Sequence, residues 1–145
     1  MKKEAVAKYY RKHDDFRRYL NSNKKRVAEL SRLYRSNKKF FGESVLDLAC
    51  GGGVLGFVIE SKGHNYVGVD INQDMVDSAK RHANDTGSGN RFILADVRSS
   101  KLRGDYDTIT LLGNAVIHFT VADLARILRN IDRNVHRGTF FEPLA

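Results

Sequence analysis

The stretch SVLDLACGGGVLG, residues 44–56, decides the fold. Val45, Leu46 and Leu48 make a short apolar run of buried-strand length, broken only by Asp47. Three glycines, Gly51 to Gly53, follow directly, and the apolar pattern resumes at Val54 with helical spacing. The spacing predicts a strand over 44–49 and a helix from Val54 to Lys62, closed by Gly63 as a left-handed C-terminal cap. A strand passing through glycines into a helix is the first half of a β-α-β unit.

The same alternation continues downstream. YVGVD (66–70) is predicted as a second strand and 72–84 as a helix, with Met75, Val76 and Ala79 facing inward. Thr86-Gly87-Ser88-Gly89-Asn90 is a loop, RFILAD (91–96) a third strand, SSKLRGD (99–105) another loop, and YDTITLLG (106–113) a fourth strand. Thr120 and Asp123 form a capping-box-like helix start, with Asp in place of the usual Glu or Gln. Leu124, Ile127, Leu128, Ile131 and Val135 extend that helix to Gly138. TFFE begins a fifth strand, and Pro143 stops the pattern. Such alternation predicts an α/β fold: a doubly wound, mostly parallel sheet covered by helices on both faces. Ligands in these sheets sit at the carboxyl ends of the strands, near the point where strand order reverses. Asp47, Asp70 and Asp96 lie at or near such ends, as does Leu112-Gly113-Asn114.

Upstream, the composition shifts. Residues 1–42 hold 14 Lys/Arg against 4 Asp/Glu, whereas residues 43–145 hold 11 against 13. The chain therefore divides into a basic helical segment, 1–42, and a nearly neutral domain, 43–145. Val6, Tyr9, Tyr10, His13, Phe16, Tyr19 and Leu20 recur at helical spacing. Asn21-Ser22-Asn23 is predicted to interrupt them; Val27, Leu30, Leu33 and Tyr34 then mark a second amphipathic helix ending at Ser36-Asn37. A basic leader suits an acidic partner such as RNA, or is simply a solvated helix face. The single cysteine, Cys50, excludes an internal disulfide and any multi-cysteine metal site, so no metal is expected. No apolar run approaches the roughly 18 residues of a membrane span. The charged start, MKKEAVAKYYRKHDD, has no apolar signal core. The expectation is a cytoplasmic protein.

Gly51-x-Gly53-x-x-Gly56 fits a dinucleotide fingerprint, and Asp70 stands 19 residues after Gly51, near the acidic position of that motif. A nicotinamide or flavin protein is thus one reading. Asp47 argues against it. A dinucleotide places its pyrophosphate at the N-terminus of the helix after the glycines, and a carboxylate four residues before Gly51 would repel it. S-adenosyl-L-methionine has no phosphate; it carries an ammonium and a sulfonium, which a carboxylate stabilises.

At this point the residues resemble a known family. VLDLACGGGVLGF is similar to the first motif of class I, Rossmann-like, S-adenosylmethionine-dependent methyltransferases, VGVDINQDM to the second, RFILADV to the third and YDTITLLGNAVIHF to the fourth. The resemblance runs from about Ser44 to the end of the chain. One departure is Ala49 at the first glycine position, a small change. The family's sheet continues past the fifth strand into an antiparallel hairpin, so C-terminal strands are expected to be missing here. The fifth strand would then be an edge, open to a second copy or a partner chain.

The resemblance implies roles. Asp47 would meet the cofactor's ammonium, with Ala49, Gly51 and Gly53 letting the backbone approach. Asp70 would accept from the ribose hydroxyls; its alternative is a helix N-cap. Ile71 and Met75 would flank the adenine, Met75 being equally suited to the core. Asp96 would accept from the adenine amino group, beside the Val97 backbone N–H, and Leu112 is a further expected cofactor-binding residue. Cys50 is a small filler, not a nucleophile. Asn114 and His118 fall where the family places acceptor groups, His118 being the one general-base candidate there. Tyr9 and Tyr10, with Phe16 and Tyr19, would form a lid over cofactor and acceptor. GNAVIHF lacks the Asn/Asp-Pro-Pro-aromatic pattern of enzymes that methylate nucleic-acid or glutamine amino groups, and is more like the loop of small-molecule methyltransferases. The expected function is methyl transfer to a small molecule. The alternatives are the same chemistry on RNA or a ribosomal protein through the basic segment, and a non-catalytic cofactor-binding partner.

Overall fold

The computed structural model describes residues 22–112, 118–131 and the backbone of 135–141. Five parallel strands form one sheet in the order β3-β2-β1-β4-β5. They are β1 (Ser44–Leu48), β2 (Asn65–Asp70), β3 (Arg91–Leu94), β4 (Tyr106–Leu111) and β5 (Val135–Phe141). Among the described residues four α-helices accompany them: α1, helical through 22–37, α2 (Val54–Glu60), α3 (Gln73–Thr86) and α4 (Val121–Asn130). The expected doubly wound sheet is therefore present. β1 lies between β2 and β4, so the strand order reverses at the β1–β4 pair.

Alternation along the central strands sorts their side chains onto two faces. Val45, Tyr66 and Phe92 pack under Leu30 and Tyr34 of α1, Val54, Leu55 and Ile59 of α2, and Val76, Ala79 and Ala83 of α3. Leu46, Leu48, Val67, Val69, Ile109 and Leu111 face the other way, onto Ile127 of α4 and Ile131. Leu46, Leu48, Ile59, Ile109, Leu111 and Ile127 are fully buried. Each contributes about 1.5–3 kcal/mol of transfer free energy, enough to seat a helix on either face. Asp47 and Thr110 share the face of Val45, so polar side chains enter the layer covered by α1 to α3.

Tyr34 fastens α1 to the sheet. Its ring meets Phe41 edge-on, centroids 5.1 Å apart. Its hydroxyl lies 2.8 Å from His64 Nε2, and His64 Nδ1 is 2.6 Å from the Gly42 carbonyl oxygen.

Several boundaries differ from expectation. Ser22 and Asn23 are already helical, so the break expected at 21–23 does not fall on them. Val27 is 40 % exposed, because the buried stripe of α1 runs through Leu30 and Tyr34 instead. Met75, expected inward, is 47 % exposed, while Val76 and Ala79 fill the core positions. The last helix stops at Asn130 rather than Gly138. Ile131 bridges to Leu102, and Val135 begins β5, paired with Tyr106. The spacing that admits Val135 to a helical stripe is a coincidence; parallel pairing against β4 overrides it. The capping box is present: Thr120 Oγ1 accepts from the Asp123 N–H at 3.1 Å, and Asp123 accepts from the Thr120 N–H at 3.0 Å. Tyr9, Tyr10, Phe16, Tyr19 and Asn114 lie outside the described residues.

Candidate cofactor site

Two cavities open at the carboxyl ends of the strands and share Ala49 and Gly51. The smaller, about 270 Å³, lies at the switch point between β1 and β4; Asp47, Cys50, Leu112, Val54 and Leu55 line it, with Arg26 and Leu30 of α1. The larger, about 480 Å³, follows the ends of β2 and β3; Asp70, Ile71, Asn72, Ala95, Asp96, Val97 and Arg98 line it, with His118 and Phe119. Of the expected cofactor residues, Asp47, Ala49, Gly51 and Leu112 thus meet at one cavity. Asp70, Ile71, Asp96 and Val97 meet at the other, with Ala49 and Gly51 again. Gly53 and Met75 line neither.

The loop between them is held in left-handed conformation. Ala49 has φ +54°, Gly51 +56° and Gly53 +76°. Nothing lies within 4 Å of where a Gly51 Cβ would point, so the missing side chain leaves open space at the cavities. Gly53 is different: a Cβ there would fall 2.3 Å from the Phe92 ring, so it serves the packing of α2. Ala49 is a less neutral departure than its size suggests, because an L residue in that region costs roughly 1–2 kcal/mol.

Asp47 is buried. Its Oδ2 accepts from the Tyr66 hydroxyl at 2.6 Å and its Oδ1 from the Thr110 hydroxyl at 2.7 Å. Loss of hydration pushes its carboxyl up to about 6, against the pull of these donors and of Arg26. Asp70 is half-buried. Its Oδ2 accepts from the Gly51 N–H at 2.8 Å and its Oδ1 from the Asn72 N–H at 2.8 Å. The N-cap of α3 is Asn72, whose side chain accepts from the Met75 N–H, so Asp70 is not that cap. Asp70 lines the larger cavity, and each of its oxygens can accept more than the one bond described.

Asp96 is already engaged. Oδ1 accepts from Arg98 N–H at 2.9 Å and Nε at 3.0 Å, and Oδ2 from Nη2 at 2.9 Å. These hydrogen bonds hold its carboxyl below the usual range. An adenine amino group would share this carboxylate with Arg98. Burial pushes the Cys50 thiol up, in keeping with a filler rather than a nucleophile. Among the described residues, no three His, Cys, Asp or Glu side chains cluster as a metal site requires.

Sequence reasoning missed Arg26 and Tyr66. Arg26 belongs to the basic segment and follows Lys24 and Lys25, yet it lines the Asp47 cavity and pairs with Glu29 at 3.4 Å. Its signal was its place four residues before Leu30 and eight before Tyr34, on the buried stripe. Lys25 points outward, 90 % exposed, beside Glu29.

A family model described as a methyltransferase domain matches residues 45–138. The chain belongs to the methyltransferase-domain family. A ubiquinone biosynthesis O-methyltransferase of Shewanella pealeana is 36% identical over 74 residues, 50% of this chain and 31% of that protein. Another, from Aliivibrio fischeri, is 30% identical over 108 residues, 72% of this chain and 45% of that protein. The chain thus spans less than half the length of these curated relatives. A crystal structure of a Pyrococcus horikoshii protein superposes with TM-score 0.64 at 32% identity, covering 73% of this chain and 50% of that one. Magnesium protoporphyrin IX methyltransferase from Synechocystis with bound S-adenosylmethionine gives TM-score 0.60 at 21% identity, over 91% of this chain and 73% of that one, a likeness of fold alone. No described helix is long and apolar enough to cross a membrane.

Proposed function

We propose that this chain binds S-adenosyl-L-methionine across the two cavities and serves methyl transfer to a small-molecule acceptor in the cytoplasm. The carrying observation is the pair of carboxylates flanking an open glycine. Asp47 lies at the β1–β4 cavity and Asp70 at the β2–β3 cavity, with the bare backbone of Gly51 between them. This charge pattern suits a ligand with an ammonium at one end and a vicinal diol at the other, and opposes a pyrophosphate.

Asp47 would hold the ammonium, and Arg26, lining the same cavity, the carboxylate of the methionine part. Asp70 would accept from the ribose hydroxyls, its orientation set by the Gly51 and Asn72 N–H groups. Ile71 and Val97 would flank the adenine; Asp96, still held by Arg98, would also accept from its amino group. Bound there, the cofactor supplies an activated methyl on a sulfonium. The protein's own task is to align the acceptor and exclude water. Leu30, Leu55 and Leu112 keep the methionine cavity apolar where it is not charged. Relatives named ubiquinone biosynthesis O-methyltransferases support a small acceptor with a hydroxyl. Tyr9, Tyr10 and Asn114 belong to the acceptor side of this proposal, and an edge-to-edge partner on β5 to its assembly.

Calorimetry with S-adenosylhomocysteine and NAD tests the cofactor. The homocysteine compound should bind and NAD should not; the reverse overturns the reading. His118, exposed at the larger cavity, is the proposed base. His118→Gln should then slow turnover at saturating cofactor and leave affinity for S-adenosylhomocysteine unchanged. Weakened affinity with unchanged turnover would make the ring part of the cofactor wall instead.

A further inference from the structure

Tyr66 brings a hydroxyl to the cofactor end of the sheet. Parallel register sets Gly68 of β2 and Thr110 of β4 directly beside Asp47. Tyr66, two residues before Gly68, is on the same face and leans over it. A Cβ on Gly68 would lie 2.9 Å from the Tyr66 oxygen and 2.7 Å from Cys50 Sγ. A bare glycine at this position therefore admits the phenol to Asp47 Oδ2 at 2.6 Å, while Thr110 reaches Oδ1 at 2.7 Å. A phenol in a central strand needs a partner when buried, and here the partner is the carboxylate that lines the methionine cavity.

We propose that Tyr66, assisted by Thr110, is a positioning residue that keeps Asp47 ionised and aimed at the methionine cavity, so that capture of the cofactor's ammonium is gated by pH. The proposal rests on the S-adenosylmethionine reading above. Two O–H donors stabilise the carboxylate and occupy one acceptor site on each oxygen, leaving the other lone pairs for the ligand. The groups acting on Asp47 are Tyr66 and Thr110 from the flanking strands, Arg26 from α1, and Asp70 and the neutral Cys50 thiol at the loop. Burial pushes the Tyr66 hydroxyl well up, so it stays protonated and remains a donor. Asp47, pushed up to about 6 by burial, titrates near neutrality. An ammonium ligand favours the ionised form, so below that pH binding must expel the Asp47 proton. Affinity is full above about 6 and falls as pH drops.

The test is calorimetric binding of S-adenosylhomocysteine to the full chain from pH 5 to 8.5, with circular dichroism confirming the fold of each variant. In the unmodified chain, affinity should be level above pH 7 and fall roughly tenfold per unit below the break, as a one-proton linkage requires. Tyr66→Phe should move the break upward by about one unit, roughly a twofold loss at pH 7 that grows to roughly tenfold at pH 5, and recover by pH 8.5. Thr110→Val tests the other oxygen in the same way and stands in if Tyr66→Phe does not fold. Asp47→Asn should bind weakly at every pH. A loss that is uniform across pH in Tyr66→Phe and Thr110→Val would overturn the proposal, reducing both residues to packing, while the cofactor reading stands. No binding by the folded, unmodified chain at any pH would remove the cofactor reading, and the proposal with it.

Discussion

Asp47 and Asp70 end neighbouring parallel strands, face a shared glycine loop, and live in opposite environments. Asp47 is buried, held by two side-chain hydroxyls, and pushed up to about 6. Asp70 is half-exposed and held by two backbone N–H groups. The first depends on what neighbouring strands contribute; the second depends on the chain folding back at Gly51 and Asn72. The difference teaches that one residue type at neighbouring strand ends can be held by side-chain hydroxyls in a desolvated place and by backbone N–H groups in a half-exposed one. A desolvated carboxylate attracts a cation strongly, while a backbone-oriented one offers fixed acceptors.

The largest expected effect breaks the comparison through stability. Asp47 has its carboxyl at about 6 in the fold against an ordinary value of 3.8, so the native state holds its proton more tightly than the unfolded chain. That stabilisation is complete at low pH and is lost as pH rises from about 4 through about 6, amounting to about 3 kcal/mol on the linkage relation. Urea unfolding of the chain and of Asp47→Asn across pH 4–7 should show this slope in the former alone.

Next in size is Asp70→Ala. It should weaken S-adenosylhomocysteine binding by roughly 1.5–3 kcal/mol, the usual worth of hydrogen bonds to a charged group. Asp70→Asn keeps an acceptor and should lose less. Equal affinity in both variants would leave Asp70 as a clamp for Gly51 alone. Smaller again is Ala49→Gly, which removes the left-handed strain at φ +54° and should raise stability by about 1 kcal/mol. A thermal melt decides it, and a lowered melting temperature would mean that the alanine methyl packs better than its backbone suggests. The smallest effect concerns α1. Lys24→Gln with Lys25→Gln should change cofactor affinity by less than about 0.5 kcal/mol, as exposed charges do, whereas Arg26→Gln should weaken it measurably. Equal effects at the three positions would restore them to one basic cluster, and salt-sensitive RNA binding would then be the assay to run.

The sequence by itself determined the alternation of strands and helices, because Val45-Leu46, Tyr66-Val67 and Ile109 alternate or cluster with strand periodicity and the glycines punctuate them. It also determined that Asp47 and Asp70 stand at strand ends, since position along a strand needs only a local count. Tertiary structure decided the rest. Val135 left the helical stripe for β5 because β4 offered its backbone a partner. Arg26 became a cavity residue because Tyr34 docks α1 over the β1–β2 face. The protonation of Asp47 was set by its burial in the sheet, opposed by the hydroxyls of Tyr66 and Thr110, 19 and 63 residues away in the chain, which meet it only there. Propensity and periodicity are local and can be read in order along the chain. Desolvation and hydrogen bonding across strands act between residues that are distant in sequence, so they exist only once the sheet has formed.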